Sequence, residues 1–110
     1  MSSISRASDV GRVADLDRPE RLTDSELDDC RGARRAEHVA ARVLAKRLVA
    51  DLLDLSVQDA EGWRRIECRR RASGQPYLVL HPPLDVDGRL HVSWSHTAEL
   101  VTVVVVHIPA

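Results

Sequence analysis

The strongest constraint on the fold is the stretch from Arg34 to Leu55, which contains neither glycine nor proline and is rich in alanine, leucine and arginine. Ala41, Leu44, Ala45, Leu48, Leu52 and Leu55 recur at helical spacing and share one face. Arg35, His38, Arg42, Lys46 and Val49 fall on or near the other side. The spacing predicts one long helix with an apolar face to lay on a sheet and a polar flank.

The remaining sequence supplies the sheet. From Trp63 to Arg71, Ile66 and Cys68 alternate with Arg65, Glu67 and Arg69, which predicts a half-exposed strand. Ala72-Ser73-Gly74-Gln75 reads as a hairpin turn and Pro76 to His81 as the partner strand. Pro82 and Pro83 stop that strand, and Asp87-Gly88 marks another turn. Leu90 to Ser95 alternates again, and Leu100 to Ile108 is a β-branched run suited to a strand buried on both faces. Ahead of the long helix, Thr23 and Glu26 have capping-box spacing for a short helix from Asp24 to Cys30, ending near Gly32. Val10 to Leu16 reads as a short strand, and residues 1–9 as a loose, Ser-rich N-terminus. The order of strand, helices and four strands defines a single α+β domain over residues 10–110, a long helix packed on a mostly antiparallel sheet.

Composition closes off several functions. A chain of 110 residues makes one domain, and one this small gains stability by oligomerising. Its formal charge of −1 and its lack of an aromatic platform (two Trp, one Tyr, no Phe) argue against nucleic acid. Cys30 and Cys68 form no disulfide or zinc pattern, and His81, His91 and His107 show no ligand spacing. The longest apolar run, Val101 to Ile108, is shorter than the roughly 20 residues a spanning helix needs. The polar N-terminus has no apolar run, so the chain reads as cytoplasmic. Glu37 and His38 read as a solvated helix face, and Tyr77 as core or interface.

Three segments carry a family resemblance. Arg34-Arg35-Ala36-Glu37-His38-Val39-Ala40-Ala41-Arg42-Val43-Leu44-Ala45-Lys46 is similar to a long-helix motif reading roughly R-F-A-A-K-E-A-x-x-K-A-L. Trp63-Arg64-Arg65-Ile66-Glu67 followed by Gly74-Gln75-Pro76-Tyr77-Leu78 resembles a hairpin of W-x-D-I-E-V and G-x-P-x-L. Val92-Ser93-Trp94-Ser95-His96 is close to S-x-S-H. In this order they resemble the holo-acyl-carrier-protein synthases, the small 4′-phosphopantetheinyl transferases. The resemblance implies that family's fold, a homotrimer with sites between subunits, and coenzyme A as donor of the 4′-phosphopantetheine arm to a carrier-protein serine. It also implies Mg²⁺ held by carboxylates, with lysines and a histidine on the phosphates. The basic stripe Arg64, Arg65, Arg69, Arg70 and Arg71, on its own a solvated strand face, gains a reason as a dock for an acidic carrier protein.

The charged positions depart from that pattern. The family's G-x-D metal ligand aligns with Gly11-Arg12-Val13, leaving Asp15, or Asp17, to substitute by a register shift. Its metal-binding Glu becomes Arg47, and its second lysine becomes Asp51, one turn on. Lys46 is kept. The expected catalytic group is therefore Arg47, Asp51, His96 and Asp15, with Lys46, Arg42, Ser95 and His96 toward coenzyme A and no metal ligands. Arg47 and Asp51 read either as a structural salt bridge or as a site in which arginine supplies the positive charge in place of Mg²⁺. The function expected is a repurposed enzyme of secondary, polyketide-type metabolism. It would act on a carrier-protein-bound, coenzyme-A-linked or related metabolite. The alternatives are an active phosphopantetheinyl transferase and a non-catalytic carrier-protein partner.

Overall fold

A computed structural model describes residues 3–110. It is α+β, as the sequence predicts. The elements are β1 (Ser5–Arg12), α1 (Val13–Leu16), a 3-10 turn at Pro19–Arg21, α2 (Asp24–Asp29), α3 (Arg35–Leu52), α4 (Ala60–Arg64), β2 (Ile66–Arg70), β3 (Pro76–Leu80), β4 (Arg89–His96) and β5 (Leu100–Ile108). One antiparallel sheet runs β1-β5-β4, and β2 and β3 form a separate hairpin.

The N-terminus differs from the sequence reading. Met1 and Ser2 lie outside the described residues, but Ser5 onward is strand, paired with β5 from Ser5↔His107 to Arg12↔Leu100. Val13 to Leu16, expected as the end of a strand, turns instead into α1 and buries Val13 and Leu16 in the core. Gly11 makes this possible, because a side chain there would run into Leu16 and lie against Leu44. Trp63 and Arg64 are likewise helical: the Asp59 carboxylate accepts from Gly62 N at 2.7 Å and caps α4.

Thr23 accepts from Glu26 N and the Glu26 carboxylate accepts from Thr23 N, so the predicted capping box is present. Gly74 at φ 92° supplies the left-handed turn between β2 and β3.

Helix α3 is buried on nearly every side. Arg42, Lys46 and Val49, expected on its polar flank, are each 0% exposed. The sheet covers one side of the helix, and α1, α2 and β2 cover the rest. Strand β5 departs the other way. Val101, Val103 and Val105 face the core, but Val104 and Val106 are only half-buried. The outer face of the sheet therefore carries an exposed apolar stripe, with Val10 55% and Leu100 46% exposed, among polar neighbours that include Arg6, Ser8, Thr102, Ser93 and Ser95.

Candidate functional site

The first half of α3 meets the end of β2 and the end of β4 in a polar cluster. Arg42 sits one turn below His38, its Nε donating to Cys68 O at 3.2 Å and its Nη1 to His38 O at 3.1 Å. Its guanidinium lies over the Trp94 ring, 5.4 Å from the centroid. Trp94 and His96 share the inner face of β4, because they pair with Val103 and Val101. His96 Nδ1 donates to Glu37 Oε1 at 2.7 Å, and both side chains are mostly buried. The His38 ring meets the His96 ring edge-on, centroids 5.4 Å apart.

Three buried polar atoms have no hydrogen-bond partner among the described residues: Arg42 Nη2, Arg70 Nε and His38 Nδ1. Orphaned buried donors are rare and costly, so each calls for an explanation. Arg42 Nη2 and His38 Nδ1 belong to this cluster, and Arg70 lies at the end of β2, near enough for its charge to act on His38. With Nδ1 committed to Glu37, Nε2 is the His96 nitrogen left for a ligand. The arrangement is a desolvated cationic cluster beside a carboxylate-oriented histidine. It suits an anion such as phosphate, and general acid–base work next to it.

Burial first, then the Arg70 and Arg42 charges, hold His38 below the ordinary histidine pKa of 6.5. The folded protein therefore prefers neutral His38. Its stability contribution is complete above pH 6.5 and is lost as pH falls through the depressed folded value. A bound anion reverses the local field. In an NMR titration the His38 ring should titrate below 6.5 in the free protein, and higher with 3′,5′-ADP present. Identical curves would argue against an anion in this pocket.

Lys46, expected to face a phosphate, is fully buried with no donor to spare. Its ammonium donates to Glu26 Oε1 at 2.6 Å, Arg21 O at 2.8 Å and Trp63 O at 3.1 Å. Burial holds its pKa below the usual lysine range despite the attraction of Glu26. Its role is to bind α2, α3 and α4 together.

Arg47 does not pair with Asp51. It reaches across to Asp9 on β1, Nη2 to Oδ2 at 2.9 Å, in a half-exposed ion pair. Asp9 shares a face with Ala7 and Gly11, opposite the inward valines of β5. Asp9, rather than Asp15, is thus the carboxylate that reaches Arg47. Val13 is core, Asp15 is exposed on α1, and Asp51 is exposed on α3. The donor set does not fit Mg²⁺, which wants several oxygens, because the one carboxylate at this position is engaged by a guanidinium. No group of three or more His, Cys, Asp or Glu side chains among the described residues is placed to hold a metal ion.

Ser95 also separates from His96. Paired with Thr102, it is exposed on the outer face of β4, away from the cluster. The arginine stripe is not a uniform free surface. Arg65 pairs with Glu61, Arg69 with Asp29, and Arg64 donates to Glu20 O. A cleft of about 540 Å³ lies at the mouth of the sheet, lined by Arg12, Ala14, Asp17, Ala36, Glu99 and Leu100 among others. Ala36 places it next to Glu37.

Of the expected site residues, the structure brings Arg42 and His96 together. It buries Lys46 and disperses Arg47, Asp51, Asp15 and Ser95. Sequence reasoning missed Asp9, read Glu37 as a solvated helix face, and saw Arg70 only as part of the basic stripe. The usable trace was the period-two spacing of Ala7, Asp9 and Gly11. Nothing local marks Glu37, whose partner is 59 residues away.

The architecture matches solved structures along its whole length. A holo-(acyl-carrier-protein) synthase from Bacillus anthracis, solved in complex with CoA (3′,5′-ADP), superposes with a TM-score of 0.77 at 24% identity over 96% of each chain. An acyl carrier protein synthase–CoA complex from Chronobacterium ammoniagenes gives 0.80 at 17% identity over 99% of each. In sequence, a holo-[acyl-carrier-protein] synthase from Shouchella clausii is 33% identical over 73 residues, 66% of this chain. That match spans 60% of the relative's length. No family model matches the chain. The fold is the one seen in those two synthase structures. The matched segment is thus similar in sequence to a holo-acyl-carrier-protein synthase, and the whole chain is similar in fold to the solved structures of such enzymes.

Proposed function

We propose that this chain is a diverged holo-acyl-carrier-protein-synthase-like protein that binds the nucleotide end of coenzyme A, or of a coenzyme-A-linked metabolite, in the Arg42–Arg70–His38–His96 cluster and works without Mg²⁺. The observation that carries the reading is a set of unpartnered buried polar atoms on Arg42, His38 and Arg70, with His38 packed against the Glu37-held His96. A phosphate there satisfies Arg42 Nη2 and Arg70 Nε together. His96 Nε2 is the acid–base group, and Glu37 fixes its tautomer and orientation. The Asp9–Arg47 pair takes the place of the two-carboxylate metal site. The substrate class is a metabolite linked to coenzyme A or to a carrier protein, in a polyketide-type secondary pathway within the cytoplasm. An acyl carrier protein is the macromolecular partner.

Calorimetry with 3′,5′-ADP should show binding that is the same in EDTA and in millimolar Mg²⁺. His96→Ala and Glu37→Gln should weaken it or abolish turnover. Incubation with coenzyme A, Mg²⁺ and a set of apo carrier proteins should leave the carriers without the mass gain of the arm. Robust, Mg²⁺-dependent transfer would establish an ordinary transferase and overturn this reading. That alternative draws its support from the 33% identity to a holo-acyl-carrier-protein synthase.

An apolar stripe on the outer face of the sheet, Val10, Leu100, Val104 and Val106 on β1 and β5, supports a homotrimer. Sedimentation should give about three times the 12.3 kDa chain mass. Val10→Asp, which puts a charge in that face, should shift the mass toward the monomer; a wild-type monomer would refute the assembly.

A further inference from the structure

Strand β3 hydrogen-bonds to β2 and strand β4 to β5, but β3 and β4 do not pair with each other. Between their facing edges lies a groove of about 410 Å³, the size of a small-molecule site. Its floor is aliphatic, with Leu78 and Leu80 from β3 and Leu90 and Val92 from β4. Its rim carries Arg71, Arg89 and His91, and none of the described residues lining it is acidic. Arg71 lies over the Tyr77 ring at 4.5 Å and, unlike Arg65 and Arg69, forms no ion pair among the described residues. An aliphatic trough with unneutralised cations at its edge matches one ligand chemistry, an elongated apolar body ending in a carboxylate.

We infer that the β3–β4 groove is a binding site for an apolar carboxylic acid, distinct from the nucleotide cluster. Its placement ties it to the chemistry. Val92 lies on the same face of β4 as Trp94 and His96, and Arg71 directly follows Arg70. The groove thus ends at Val92, two residues along the same strand face from Trp94 and four from His96.

The test uses decanoate as the probe, followed by calorimetry and by backbone-amide NMR of the full chain. Expected are one site per chain, and shifts concentrated at residues 77–80 and 89–92. Binding should fall at least tenfold when Leu90→Trp fills the trough or Arg71→Glu and Arg89→Glu invert the rim. Decanol should bind at least tenfold more weakly than decanoate. Arg89 is exposed at a strand end, so its substitution keeps the test valid if Leu90→Trp does not fold. The groove is overturned if decanoate does not bind, or if these changes leave its affinity unmoved. 3′,5′-ADP titrated into the same samples reads the other site. Decanoate binding without nucleotide binding overturns only the nucleotide reading, and the reverse overturns only the groove.

Discussion

Replacing Glu26 by alanine is expected to cost about 3–5 kcal/mol of folding stability, the usual penalty for removing one partner of a buried ion pair. Glu26 and Lys46 are both 0% exposed, and their contact is 2.6 Å. One carboxylate does three jobs. Oε1 accepts from Lys46 and from Thr23 N, and Oε2 accepts from Cys68 N at 3.0 Å. It thereby joins α2, α3 and β2. Without it, the Lys46 ammonium keeps only the carbonyls of Arg21 and Trp63 in a place water does not reach. Small domains have about 5–15 kcal/mol in total, so the variant should melt far below wild type or fail to fold. The measurement is urea or thermal unfolding followed by circular dichroism. Glu26→Ala combined with Lys46→Met should recover part of the loss, because the stranded charge is then gone. A loss below about 1 kcal/mol for the single variant would mean that water or another group reaches Lys46.

This buried pair also shows where reading the sequence stops. The helix was legible because its apolar spacing is strong, and the β2–β3 hairpin because Gly74 sits where a left-handed turn is needed. The polar flank of α3 was misread for one reason. Periodicity identifies which residues share a face, but not whether a second layer covers it. Arg42 and Lys46 resemble solvated residues in a helical projection, yet they are buried because Glu26 and backbone carbonyls of distant segments meet them. The same limit explains Arg47. Its sequence neighbour Asp51 is one turn away, whereas its actual partner Asp9 is 38 residues away. Local spacing favours i,i+4 pairs, but the register of β1 against β5 decides which carboxylate arrives. Asp9 escaped notice because β1 was placed five residues too late. Its Ser and Asp content hides an edge strand that pairs along its whole length.

The second large effect is expected at Arg42. Arg42→Lys keeps the charge but loses the planar fork that lets one side chain hold Cys68 O and His38 O and leave Nη2 for the proposed anion. Affinity for 3′,5′-ADP should fall roughly 10- to 100-fold, as expected for a charge-assisted hydrogen bond lost from a desolvated pocket. Arg64→Ala, on exposed α4, should leave it unchanged. The readout that separates a binding role from a merely structural one is His38. In wild type, nucleotide should raise its pKa from the depressed free value, because a bound phosphate offsets the neighbouring guanidinium charges. In Arg42→Lys that ligand-induced rise should shrink along with the affinity, while the sheet amides keep their wild-type NMR shifts. A folded Arg42→Lys protein with unchanged nucleotide affinity would show that Arg42 Nη2 is satisfied by solvent rather than by ligand. The three orphaned atoms would then be a packing cost of the fold and not the remnant of an anion site.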